Sequence, residues 1–120
     1  MNLINVNNPG VAAVTRTLTS VPTGIVVEAL INVYLSNVAA TSAPNVLISP
    51  LSISDQTPSS PVSSTTLSAA NAGNTGNPSA NISVFTNTSA QVRSRLNGSD
   101  ASVTLLLISL GWIDTRGKNN

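Results

Sequence analysis

Over residues 24–36, apolar and polar positions alternate. The odd positions Ile25, Val27, Ala29, Ile31, Val33 and Leu35 are all apolar, while the even ones include Glu28, Asn32, Tyr34 and Ser36. A period of two sends one set into a core and the other toward water, so the segment predicts a long half-buried strand. Helical spacing would set Glu28 and Asn32 beside apolar neighbours without a clean face. Similar patterns predict further strands over 11–20, 45–53, 62–68, 80–86, 90–96 and 102–114. Scarce Glu, Lys and Gln, frequent β-branched residues and seven prolines disfavour helix throughout.

Turn signals separate these segments. Pro22-Thr23-Gly24 divides the first two strands. Asn97-Gly98-Ser99-Asp100 predicts a hairpin from the strand bearing Arg93 and Arg95 to the last strand. The expected fold is all-β: an antiparallel β-sandwich or jelly-roll of about seven to eight strands, in a single domain over 1–120. Residues 1–10 are a candidate N-terminal arm, 54–79 a loop-rich region of Ser, Thr, Ala, Asn, Gly and Pro, and 117–120 a frayed tail.

Charge changes the picture more than length does. Five Lys and Arg face four Asp and Glu, histidine and cysteine are absent, and the net charge is +1. Charged residues make up 8 % of the chain, against about a quarter in an ordinary soluble domain. A surface of Ser, Thr, Asn and Ala repels a neighbour weakly, which favours association. Nucleic acid is not an expected partner, since no basic stripe exists. Without cysteine there is no disulfide or thiolate metal site. The opening residues lack the charged and apolar regions of a signal peptide. The apolar run 103–110 is broken by Thr104 and Ser109 and is too short to span a bilayer, so no membrane partner is expected. Assembly in a cytoplasm is the expectation.

Candidate chemistry is sparse. A nucleophilic hydrolase needs a base beside its nucleophile, and histidine is missing. Glycoside hydrolysis needs two carboxyls, and Glu28, Asp55, Asp100 and Asp114 offer few pairings. Asp55 and Asp100 suit turns, and no spacing resembles a calcium loop. The chain is expected to be no enzyme and to hold no cofactor or metal. The N-x-S/T triplets at Asn81, Asn87 and Asn97 are what chance gives in a chain this rich in Asn, Ser and Thr.

The candidate interface residues are Arg16, Arg93, Arg95, Trp112, Asp114 and Arg116. Arg93 and Arg95 share one face of a strand, with Val92, Ser94 and Leu96 on the other. That face is either solvated or paired across a subunit boundary with Asp114 or Glu28. Arg16 shares parity with Val14 and Leu18, so it is either inward and paired or held between subunits. Trp112 suits core or interface packing, or stacking on a sugar.

The runs Val84-Phe85-Thr86-Asn87-Thr88-Ser89-Ala90-Gln91-Val92-Arg93-Ser94-Arg95-Leu96 and Gly111-Trp112-Ile113-Asp114-Thr115-Arg116-Gly117, with residues 15–24 upstream, resemble small β-rich virion proteins of tailed bacteriophages. The resemblance spans most of the chain and implies no catalytic residues. It implies a capsid decoration (cement), head-fibre or tail-fibre module, with a homotrimer and the major capsid protein or other virion proteins as partners. The rival expectation is a tail-fibre or spike module that binds host-surface glycan.

Overall fold

The computed structural model describes residues 2–37, 45–58, 67–68, 78–98 and 102–114, and every regular element among them is a strand. In chain order these are β1 (Asn2–Asn7), β2 (Val14–Thr17), β3 (Glu28–Asn37), β4 (Asn45–Ser49), β5 (Leu67–Ser68), β6 (Ser79–Phe85), β7 (Gln91–Leu96) and β8 (Val103–Ile113). One sheet runs β1-β8-β3-β6. The other runs β2-β7-β4 and is edged by the two-residue β5. Every pairing is antiparallel.

The pairings are nested. First meets last (β1 with β8), second meets seventh, third meets sixth, and fourth meets fifth. The chain is thus one long hairpin rolled up so that alternate strand pairs fall in opposite sheets, β1–β8 and β3–β6 in one, β2–β7 and β4–β5 in the other, which is the jelly-roll arrangement. Rolling is completed by the β3–β8 and β4–β7 ladders.

The parity read over 24–36 holds in β3. Val27, Ala29, Ile31, Val33 and Leu35 are fully buried, while their even neighbours are partly or fully exposed. Val92 and Leu96 of β7 face them from the second sheet, with Val103, Leu105 and Leu107 of β8 alongside. Each fully buried Val, Leu or Ile contributes about 1.5–3 kcal/mol, much of it offset by lost chain entropy.

Several strand ends differ from the sequence expectation. β4 stops at Ser49 because Pro50 has no N–H for the ladder. Of the strand predicted over 62–68, Leu67–Ser68 forms β5 and 62–66 lie outside the described residues. β2 covers only the centre of 11–20.

Two expectations are corrected. Residues 2–7 are not a free arm. They form β1, an edge strand in continuous register with β8 from Asn2↔Ser109 to Asn7↔Thr104, and Ile4 packs on the core. The short alternation Leu3-Ile4-Asn5-Val6-Asn7 was the available signal. Nor does Asn97-Gly98 make a β7–β8 hairpin, since those strands lie in different sheets. Asn97 instead continues the β4–β7 ladder. Its N–H donates to the Asn45 carbonyl at 3.2 Å, and its Oδ1 accepts from the Asn45 N–H at 2.9 Å.

Candidate assembly surface

The two sheets present unlike outer faces. On the second sheet, Thr15, Arg93 and Ser49 share one row, and Arg95 lies beside Leu47. Here the segment after β4 folds back over the sheet. Arg93 Nη1 donates to the Ile53 carbonyl at 2.9 Å, and Arg95 Nη1 bonds the Asp55 carboxylate. This cover explains why Ser49 is buried although its parity points outward. The Ser49 hydroxyl and Arg95 Nε lie buried beneath it, without a hydrogen-bond partner among the described residues. The two arginines therefore hold their own chain's loop, and the carboxylate that meets Arg95 is Asp55, a residue the sequence had placed in a turn.

Arg16 lies on the inner side of edge strand β2, across from Val92. Its Nε donates to the Ser94 hydroxyl at 2.8 Å. Partial burial pushes its pKa down from the ordinary value, yet a guanidinium stays charged. Among the described residues no carboxylate pairs with it. Within the chain, Arg16 is thus inward on an edge strand and bonded to a hydroxyl.

Trp112 owes its position to a β-bulge. The β3–β8 register shifts between Leu30 and Ile31, so Leu30 meets Gly111 while Ile31 meets Ser109, and Leu110 is the extra residue. Beyond the bulge the parity of β8 inverts. Trp112 pairs with the inward Ala29 and Ile113 with the outward Glu28. At this end of the sandwich Trp112 stays 46 % exposed, so it is no core lid. Asp114 follows β8 and is exposed, and Arg116 lies outside the described residues. The structure does not gather the candidate residues: Arg93 and Arg95 lie on the outer face of one sheet, and Trp112 lies at the end of the other.

The outer face of the first sheet went unpredicted. Register places Leu3, Ile108, Asn32 and Asn81 in one row, and Asn5, Leu106, Tyr34 and Ser79 in the next. Toward the end of the sheet follow Gly111, Leu30 and Ser83, then Ile113, Glu28 and Phe85. Leu3 is 57 % exposed and Leu110 53 %, with Phe85 and Ile113 also exposed. Among the strand residues of this face Glu28 alone is charged. The signal was the unbroken run Leu105-Leu106-Leu107-Ile108, since a strand with water on one face would alternate. At the Phe85 end, a cleft of about 470 Å³ opens between Val26, Phe85, Thr86, Asn87, Thr88 and the Leu51-Ser52 turn, with mostly apolar walls.

Among the described residues no three carboxylates, imidazoles or thiols come within reach of one metal ion. What the surface offers is apolar area with amides that both donate and accept, suited to covering by protein. No protein-family model, no curated protein and no solved structure matches the chain.

Proposed function

We propose that this chain is a structural virion protein: a small jelly-roll assembled in a host cytoplasm that attaches to a capsid shell as a decoration (cement) or head-surface component. Its partners are copies of itself and the major capsid protein or other virion proteins. It acts by binding and stabilising and turns over no substrate. The observation that carries this reading is the almost uncharged outer face of the first sheet, on which Leu3, Leu30, Leu106, Ile108, Phe85 and Ile113 interleave with Asn and Ser. A stretch of that kind on a lone soluble domain marks a surface meant to be covered. The low charge of the whole chain points the same way. Jelly-rolls recur in viral capsid domains, which is support by analogy of fold. The tailed-phage resemblance of residues 84–96 and 111–117 adds to it.

The test is location. A tagged chain imaged by electron microscopy in purified particles is expected at the head surface. Particles without it should release their genome at lower temperature. A chain absent from particles sinks the reading.

One observation favours a second reading, a tail-fibre or spike module. The half-exposed Trp112 ring is available to stack on a sugar. That reading requires glycan-array binding that Trp112→Ala abolishes without lowering the melting temperature.

A further inference from the structure

We propose that the outer face of the first sheet is covered by the same face of a second copy, giving a two-fold dimer. This rests on the structural reading above and names the first partner of that surface.

Three features select a twin over an unlike partner. The first is charge. A face whose strand residues carry only Glu28 meets itself without the repulsion that two charged faces would suffer. The second is hydrogen bonding. Asn32 Nδ2 donates to Asn81 Oδ1 at 2.8 Å across β3 and β6. That bond leaves an acceptor on Asn32 and a donor on Asn81, a set that an identical copy complements.

The third is area. Four strands about 4.8 Å apart and ten residues long at about 3.3 Å each outline about 600 Å². Because β1 and β6 are shorter, about 500 Å² per copy is realistic, or about 1,000 Å² in the pair, where specific interfaces begin. A sheet face packed on its own twin is isologous, and an isologous contact closes at two copies. This differs from the homotrimer expected from the resemblance, and one measurement separates the two.

Sedimentation equilibrium of the full chain from about 1 µM to about 1 mM spans the dissociation constants of weak to moderate dimers. The wild type is expected to pass from 12.2 kDa to twice that mass. Leu3→Lys and Leu110→Lys alter exposed side chains of the face, so the fold should survive, as circular dichroism checks. Combined, they should weaken association at least tenfold. Thr15→Lys, on the opposite sheet, should leave it unchanged. A wild type monomeric at the highest concentration, a three-fold mass, or a folded double-lysine variant that associates as well as the wild type would each overturn the proposal. A monomer still found on particles refutes the dimer but not the virion reading. A dimer absent from particles does the reverse.

Discussion

Asn87 fastens the crossing from β6 in one sheet to β7 in the other. Its Oδ1 accepts from the N–H groups of Ser89 and Gln91, both at 3.0 Å, and its Nδ2 donates to Gln91 Oε1 at 3.1 Å. The turn also holds Ala90 at a φ of 58°, and the Ala90 carbonyl accepts from Leu18 N at 2.8 Å. Asn87→Ala removes all three side-chain bonds. Ser89 N is exposed, so water replaces its partner at a cost of about 0.5 kcal/mol; Gln91 N is partly buried and costs about 1–1.5. The amide-to-amide bond adds about 0.5 kcal/mol, for a total of about 2–2.5 kcal/mol. At about 3–5 °C per kcal/mol for a chain of this size, the melting temperature falls by about 6–12 °C. Thermal unfolding followed by circular dichroism measures it. Asn87→Asp keeps the accepting oxygen and loses only the Nδ2 donor, so it should cost about 1 kcal/mol or less. Equal losses in the Ala and Asp variants, or an Ala loss under about 0.5 kcal/mol, would refute the claim that Oδ1 fastens the turn.

Ala90→Gly relieves a left-handed backbone worth about 1 kcal/mol but loses a buried methyl worth about 0.8, so denaturant midpoints should barely move. Ala90→Val combines a strained backbone with overpacking and should cost about 2 kcal/mol or more on the same urea curve. Deleting residues 1–7 removes β1 and uncovers the β8 edge; a loss of about 3 kcal/mol or more is expected, where a free arm would cost nothing. An unchanged urea midpoint would reject the role of β1. Asp55→Ala should lower stability by less than about 1 kcal/mol, because the pair with Arg95 is partly exposed, yet hydrogen exchange over 51–56 should speed up. Unaltered exchange would show that Arg95 does not hold that loop.

Much of the fold was legible because period two is a strong signal wherever one face is buried. β3, β6, β7 and β8 fall within a residue or a few of their predicted bounds, and the inward parity of Val92, Ser94 and Leu96 was readable from spacing alone. Connections were less legible. Asn97-Gly98 has good hairpin chemistry, but local turn preference does not report that the next strand joins the other sheet. The bulge at Leu110 inverts the parity of Trp112; Gly111 beside it is the residue that signals a bulge, but it does not say which way Trp112 turns. Arg93 and Arg95 do share the face opposite Val92, Ser94 and Leu96. Their partners were not foreseen, because Asp55 and Ile53 reach them through a loop whose path spacing does not encode. The apolar outer face was visible in the run 105–108, a pattern that only stacking against a second layer distinguishes from core.

The nested ladder also sets an order of events during synthesis. β1 emerges first, and the strand it pairs with, β8, is the last to be made. At ribosomal speeds of about 5–20 residues per second, roughly 5–20 s pass between Asn2 and Ser109. Until then β1 is an unmatched amphipathic ribbon, while inner pairs such as β3 with β6 are free to close. Synthesis of β8, rather than of any earlier strand, is therefore the moment at which the two-sheet roll can lock.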